Sequence, residues 1–402
     1  MPKLTIDEKN FSWHDFLWQA WSLPINWQHE QRVIIQTDEP KAGLLLMLAS
    51  LLKGKSVVLD PKRSLSQGFI LQNYEQQDLP KPTLTFLQLK RLLFHNKTKT
   101  CLFFCTSGST GKPKLIRKNW SVLLAEAKAL KHFYQLQKES YILCLASPFH
   151  LYGFLHGFLL PFLAEASTVL FTHPAIAVIE KSPSCDLLVS SPALWQQVKQ
   201  YCQKQIAKIV VSSGAPFGRK RRTEINDLKI MPQAMWEILG STETGGLGYR
   251  SLFAPEDRCY RLFPGINLSW RQHKLYVSSP YIMNKLLAIA DLLETTGDGK
   301  GFYHRGRLDK VFKYSGRRYC LTEIEKALTS TLGLEAVACR FGSDPDATRG
   351  GILTAFVRGN ITSLSQARII YRSQTDLPFP DKFHFMAELR QDHMGKTVLP
   401  FN

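Results

Sequence analysis

The chain reads as an α/β protein in two parts: a large N-terminal domain with parallel-rich sheets flanked by helices, then a small mobile C-terminal α+β domain. Three observations carry this expectation. Apolar strand-like runs alternate with helical runs up to about Pro255, the pattern of a parallel sheet covered on both faces. Beyond Pro255 the texture changes to short strands and turns. The length of 402 residues also exceeds what one hydrophobic core usually organises.

Taken in order, "RVIIQT", "KAGLLLMLASLLKG" and "KSVVLD" read as strand, helix and strand, a compact βαβ unit. "TCLFFCTS" is strand-like, and Asn119 stands where a helix over "WSVLLAEAKALKHFYQL" needs its N-cap. "YILCLAS", "STVLFT", "CDLLVSS" and "IAKIVVSSG" follow as strands with helical segments between them. Further on, Gly-Asp-Gly in "LLETTGDGKGFYHRGR" supplies a hairpin bend. The tail reads helix "TEIEKALTSTL", strands "EAVACRFG" and "ILTAFVR", helix "SLSQARIIYRS" and strand "FHFMAEL". The expected domains are therefore residues 1–306 and 307–402, the second of a typical small-domain size.

Composition narrows the class without choosing a function. Lys and Arg number 51 against 33 Asp and Glu, a formal charge of +18. That balance favours anionic partners: nucleotides, CoA, nucleic acid or an acidic protein. The eight cysteines form no C-x-x-C, and no His pair has zinc-ligand spacing. Reduced thiols in a cytoplasmic protein are the simplest reading, and "MPKLTIDEKN" has no apolar signal-peptide core. Residues 141–164 carry no Asp, Glu, Lys or Arg over a length that could cross a bilayer. Pro148, Gly153, Gly157 and Pro161 interrupt them, so a buried strand, a polar loop and a buried helix are expected instead of a membrane span.

The stretch that carries chemistry is "FFCTSGSTGKPKLIRK". After the strand come Thr106, Ser107, Gly108, Ser109, Thr110, Gly111 and Lys112. Glycines let backbone N–H groups curl around an anion, hydroxyls add donors, and the lysine adds a point charge. A Walker A loop places four residues between its first glycine and its Gly-Lys pair. Here two residues separate Gly108 from Gly111, and Pro113 follows the lysine. This is a phosphate loop of another kind.

"TSGSTGKPK" resembles the phosphate-binding signature of adenylate-forming enzymes: acyl- and aryl-CoA synthetases, nonribosomal-peptide adenylation domains and luciferases. Other motifs of that family follow in order. "SPFHLYGF" is similar to its aromatic-His segment, with His150 at the His position. "SSGAP" resembles the turn beside the adenine, and "LGSTETGG" the Gly-x-Thr-Glu motif. "GRLDKVFKYSGRRYCLTEIE" is similar to the hinge-and-glycine motif, and "HMGKTV" puts Lys396 at the C-terminal lysine position. The chain also departs from the pattern. Leu239 stands where an aromatic residue commonly stacks on adenine, the region before the phosphate loop is short, and "LRQDHMGK" lacks the usual Leu-Pro.

The resemblance implies two half-reactions, with ATP and Mg²⁺ as cofactors. A carboxylate first attacks the α-phosphate of ATP to give an acyl-adenylate and pyrophosphate; a phosphopantetheine thiol of CoA or acyl carrier protein then takes the acyl group. Residues from Thr106 to Gly111 would hold the β- and γ-phosphates, and Lys112 the loop or the pyrophosphate. Gly214, Ala215 and Pro216 would border the adenine. Thr242 would touch phosphate, and Glu243 would hold the metal, whose hard character suits a carboxylate. Lys396 would bridge carboxylate and α-phosphate, while Asp291 and Arg307 would place the ribose. Asp309 matches the hinge, and Gly316 the strand that the thiol arm passes. The literal "TGD" ends at Asp298, only eight residues before Gly306 and followed by Gly299. We therefore read Asp298 as a turn residue; Asp291, a full strand and turn upstream of the hinge, stands at the spacing the resemblance implies for the ribose-binding residue.

The expected acid pocket comprises Phe149, His150, Tyr152, Gly153, Ser213 and Gly245, whose apolar and aromatic character suits an aryl or fatty acid. The chain looks most like compact ligases that load such acids onto CoA or acyl carrier protein. An acidic carrier protein suits the charge excess, and "GRKRR" (218–222) reads either as a docking patch or as a solvated helix start. Two alternatives stand beside this: an amino-acid-activating adenylation protein, and a basic nucleic-acid-binding protein without turnover. The sequence carries no recognised nucleic-acid motif, so nucleic acid is not an expected partner.

Overall fold

At the N-terminus two short alternating runs pair as strands β1 (Lys3–Ile6) and β2 (Lys9–Ser12), turning at Asp7 and Glu8, whose φ values are 45° and 69°. Helix α1 (Trp13–Ser22) begins there because the Ser12 side chain accepts the Asp15 N–H. The expected βαβ unit follows as β3 (Arg32–Ile35), α2 (Pro40–Leu52) and β4 (Ser56–Leu59). Every residue of α2 except Lys41 is buried, which is why its sequence is apolar on all sides. Strand β5 (Phe69–Leu71), helix α3 (Phe86–His95), and strands β6 (Cys101–Ser107) and β7 (Pro113–Asn119) complete a sheet of order β5-β3-β4-β6-β7. It is parallel except for the antiparallel β6–β7 hairpin.

This computed structural model describes residues 2–25, 31–72, 81–95, 100–107, 113–171, 173, 179–215, 217, 219–253, 259–271, 274–284, 286–307, 311–314, 317–343 and 351–389. Contacts divide the chain into two units. The first is Met1–Asp257 with Arg261–Asn267 and Val277–Leu287; the second is Arg258–Tyr260, Leu268–Tyr276 and Ala288–Asn402.

In the first unit, helix α4 (Trp120–Phe133) starts after Asn119 as expected. The cap itself differs: the Asn119 side chain makes no capping bond, and its Oδ1 instead accepts the Cys101 thiol at 3.0 Å. Strand β8 (Tyr141–Cys144) leads to helix α5 (Leu151–Gly153), which continues through a π-helical stretch, Phe154–Leu159, into α6 (Leu160–Ala164). Then come β9 (Ser167–Leu170), β10 (Cys185–Ser190), α7 (Trp195–Tyr201), β11 (Ala207–Ser212), α8 (Arg219–Thr223), β12 (Ala234–Ser241) and β13 (Gly245–Ser251). Their order with the N-terminal strands is β13-β12-β11-β10-β8-β9-β1-β2. It is parallel from β12 to β1 and antiparallel at both ends. Leu188, Val210, Trp195 and Phe217 pack within one core beneath it.

The second unit holds the expected hairpin, β14 (Asp291–Thr295) and β15 (Gly301–Arg307), then a smaller one, β16 (Val311–Tyr314) and β17 (Arg317–Cys320). Helix α9 (Leu321–Leu332) ends at Gly333 in the left-handed region, as helix C-termini commonly do. Strands β18 (Ala336–Ser343), β19 (Gly351–Arg358) and β20 (Lys382–Phe385), with α10 (Leu364–Gln374), close a core around Phe312, Ile324, Leu353 and Tyr371. The α/β class expected from the sequence is the one found. Among the described residues no helix is long and apolar enough to cross a membrane. Each of the eight cysteines is a thiol, none in a disulfide among the described residues.

Candidate active site

The expected phosphate loop lies between β6 and β7, whose hairpin sets Thr106 opposite Lys114 and Ser107 opposite Pro113. The Thr106 hydroxyl donates to Lys114 O at 3.2 Å. Gly108, Ser109, Thr110, Gly111 and Lys112 lie outside the described residues. Strand β7 then directs two lysines, four residues apart and so on one face, at a single residue of another hairpin. Exposed Lys114 places Nζ 3.0 Å from Glu243 Oε1. Buried Lys118 donates from Nζ to the main-chain oxygen of Glu243 at 2.9 Å and to Tyr281 O at 3.0 Å.

That second hairpin is the turn between β12 and β13. Ser241 and Thr244 lock it: the Ser241 N–H donates to Thr244 Oγ1 (3.1 Å), and the Thr244 N–H donates to Ser241 Oγ (3.2 Å). Thr242 and Glu243 are thereby held at its tip. Burial pushes the Glu243 carboxyl up, but the Lys114 bond, its own backbone N–H, the Lys114 charge and Ser241 outweigh it and hold the pKa below the usual carboxylate value. An ionised, half-exposed carboxylate is a fitting oxygen ligand for Mg²⁺. Gly245 has φ +72°, and a Cβ there would meet Glu126 Oε1 at 2.6 Å, so the position requires glycine twice over. Glu126, on α4, is buried, and its Oε1 accepts the Gly246 N–H at 2.7 Å. Burial raises its pKa, while Lys118 and the Gly246 N–H favour its charged form.

The aromatic-His segment surrounds the start of α5. Phe149 is buried against α2, where a Cβ on Gly43 would fall 2.2 Å from its ring. His150 is half-buried and precedes the helix, its carbonyl accepting the Phe154 N–H at 2.8 Å. Gly153 lies so close to Ser147 O that a Cβ would approach to 2.1 Å. The Tyr152 hydroxyl donates to Val211 O at 3.1 Å, and the Ser213 hydroxyl donates to Ile238 O at 2.9 Å. Gly214 (φ +95°) and Ala215 form the turn after β11; Pro216 lies outside the described residues. One histidine the motif did not mark, His156, is fully enclosed. Its Nδ1–H donates to Tyr152 O at 2.9 Å and its Nε2 accepts the Tyr134 hydroxyl at 3.1 Å. Burial pulls its pKa down to about 4.

In the second unit Asp291 and Arg307 are directly opposed across β14 and β15, and Asp291 Oδ1 lies 3.1 Å from His304 Nε2. Asp298 sits at the hairpin tip, where its Oδ1 accepts from Thr296 Oγ1 (2.6 Å) and Lys300 N (3.0 Å), as the Gly-Asp-Gly reading expects. Asp309, Gly316 and Lys396 lie outside the described residues. Neither reading of "GRKRR" suits Arg222: it is buried, and its Nη2 lies 3.0 Å from Glu237 Oε2. Arg250 Nη2 approaches the same oxygen at 2.6 Å.

A family model described as AMP-binding enzyme matches residues 30–277, more than half of the chain. The chain belongs to the AMP-binding enzyme family. Two relatives named 4-coumarate–CoA ligase, from Rhodobacter capsulatus and Halorhodospira halophila, are each 30% identical to it, over 256 and 243 residues. The matched part is 60% of this chain in both cases, and spans 60% and 59% of those relatives. Among solved structures, ATP-bound MatB from Rhodopseudomonas palustris has a TM-score of 0.74 at 14% identity, covering 98% of this chain and 94% of that one. The o-succinylbenzoate CoA synthetase MenE from Bacillus subtilis, in complex with its acyl-adenylate, has a TM-score of 0.77 at 14% identity, covering 98% and 93%. These likenesses establish the fold.

Sequence reading of this AMP-binding enzyme missed Lys118, Glu126 and Thr244. Only Thr244 left a local signal: Ser and Thr three residues apart within a turn bond to each other's backbone.

Proposed function

We propose that this AMP-binding enzyme adenylates an aryl carboxylic acid with MgATP and transfers the acyl group to a phosphopantetheine thiol. The observation that carries the reading is Glu243, held as an anion 3.0 Å from Lys114 on the strand that follows the phosphate loop. The names of the two 30%-identical relatives support an aryl acid and CoA.

In the first step a carboxylate oxygen bonds to the α-phosphorus, and the bond to the pyrophosphate oxygen breaks. Both reactants are anions, so fixed positive groups and oriented donors lower the barrier. Thr106 to Gly111 take the β- and γ-phosphates, and Lys112 the loop or the pyrophosphate. Glu243 holds Mg²⁺, which neutralises phosphate charge when bound. Thr242 contacts phosphate, Lys396 bridges the reacting oxygens, and Asp291 with Arg307 orients the ribose. Gly214, Ala215 and Pro216 border the adenine. The acid lies against the segment Phe149–Phe154, Ser213 and Gly245. In the second step the thiol sulfur bonds to the acyl carbon, AMP leaves, and the thiol proton passes to solvent. Residues 307–402 turn about Asp309 between the steps, and Gly316 leaves room for the thiol arm. The excess of 51 basic over 33 acidic residues favours an acidic carrier protein as the thiol's bearer.

ATP–pyrophosphate exchange against a panel of aryl, fatty and amino acids tests this directly, followed by thioester formation with CoA and with carrier protein. An aryl acid is expected to give the highest rate, and Lys396→Ala to lower exchange about a hundredfold or more. Unchanged exchange in Lys396→Ala overturns the reading, and faster transfer to CoA than to any carrier protein overturns the choice of acceptor.

A further inference from the structure

Two buried groups of opposite charge hold the two ends of the 241–246 turn, and neither belongs to the motifs above. At one end Lys118 binds the main-chain oxygen of Glu243 and ties it to Tyr281 O. At the other, Glu126 Oε1 takes the Gly246 N–H, while its Oε2 is buried without a hydrogen-bond partner. The carboxylate lies where a side chain on Gly245 would otherwise be. Burying a lysine and a glutamate costs stability relative to apolar residues of similar volume. Both of these are aimed at main-chain atoms of the one turn that carries Thr242 and Glu243. The Glu243 carboxylate, by contrast, meets Lys114 on its exposed side and is otherwise bonded from within its own turn, by its own N–H and by Ser241.

We propose that Lys118 and Glu126 are positioning residues with separable effects: Lys118 sets where Glu243 presents its carboxylate to magnesium, and Glu126 sets the Gly245–Gly246 edge that borders the acid. This rests on the adenylation reading above. The inward lysine fixes the backbone under the metal ligand, so the outward carboxylate can exchange Lys114 for a cation without the turn moving. The inward glutamate fixes the glycine pair, so the wall of the acid pocket keeps its place.

The test separates the two halves. Lys118→Met keeps the aliphatic stem and removes the donors. It should raise the Mg²⁺ concentration for half-maximal pyrophosphate exchange about tenfold and leave the KM for the acid within about twofold. Glu126→Met should do the reverse, raising the acid KM about tenfold at a nearly unchanged Mg²⁺ requirement. Glu126→Gln, which retains an oxygen for the Gly246 N–H, should restore the acid KM. A merely structural role would weaken both affinities together in each variant and lower the melting temperature. That pattern, or no change in either constant, overturns the proposal. Should Lys118→Met fail to fold, Lys118→Gln keeps an N–H donor and should raise the Mg²⁺ requirement about threefold while leaving the acid KM unchanged; a rise of both constants overturns the proposal. Mn²⁺ binding in the presence of ATP, followed by electron paramagnetic resonance, reads the Lys118 half without turnover. A wild-type protein that binds Mn²⁺ and ATP but exchanges no pyrophosphate with any acid fails the adenylation reading, whereas Lys118→Met binding Mn²⁺ as tightly as wild type fails this one.

Discussion

Glu237 and Glu126 are both nearly inaccessible to solvent in the same unit, yet their surroundings are finished in opposite ways. Glu237 Oε1 accepts the Phe217 N–H, and its Oε2 accepts from both Arg222 and Arg250. Glu126 has one oxygen bonded and the other without a partner. A buried polar network that is fully satisfied rigidifies its surroundings, and one that is partly satisfied does so less. Glu237 ties β12, β13 and the start of α8 into a frame. Glu126 lies under the turn where the reaction is proposed to occur, and holds it by a single bond. The pair contrasts a carboxylate that builds the scaffold with one that sets a working part.

The sharpest way to break this contrast is Glu237→Leu, which removes the carboxylate that buried Arg222 and half-buried Arg250 share. It should cost about 3–5 kcal/mol of stability, read from urea unfolding; a loss below about 1 kcal/mol would place both glutamates in one class. The next effect is on pH. His156 shares a hydrogen bond with Tyr134, whose ionisation is pushed up by burial and by the Glu126 charge. The unfolded chain protonates this histidine below its ordinary 6.5, and the folded protein only near 4. Unfolding therefore takes up a proton between those values, and stability should fall as pH drops from 6.5 to 4, by about 3 kcal/mol in all. Thermal melts across that range check it, and His156→Gln should flatten the slope. Glu126→Gln keeps its one good bond and should change stability by about 1 kcal/mol or less, well under the Glu237 value in the same urea assay. Lys114→Met removes a pair with side chains 61% and 38% exposed, and should change the unfolding free energy in the same assay by no more than about 0.5 kcal/mol.

Much of the frame was legible in the sequence. Helix α2 and its flanking strands announced themselves by unbroken apolar runs, and Asp298 by the local chemistry of Gly-Asp-Gly. Strand β7 was not read, because alternation fails when an inward position is occupied by Lys118. Its partners, Glu243 O and Tyr281 O, lie 125 and 163 residues away along the chain. No local pattern distinguishes such a lysine from one on a solvated face. Asn119 shows the reverse failure: the position was right, but a nearby thiol took the side chain that the helix end was expected to use. Arg222 was hidden within a charge run, from which it turns inward to meet Glu237. The motifs marked the residues expected to touch ligands. The groups that hold those motifs in place had no signature of their own.

The π-helical stretch between α5 and α6 has a consequence for how this chain can vary. The Leu160 N–H reaches back five residues to Leu155 O, so Phe154–Leu159 winds with more residues per turn than an α-helix. Removing one residue there would let the segment close as ordinary α-helix. It would also rotate everything after it by about 100°. Pro161 and Phe162 would leave the positions they now fill, and Gly157 would leave Cys144, against whose Sγ a Cβ would come within 2.5 Å. Many side chains in this stretch can be exchanged for others of similar volume; its residue count cannot. Length, as much as composition, is inherited information here.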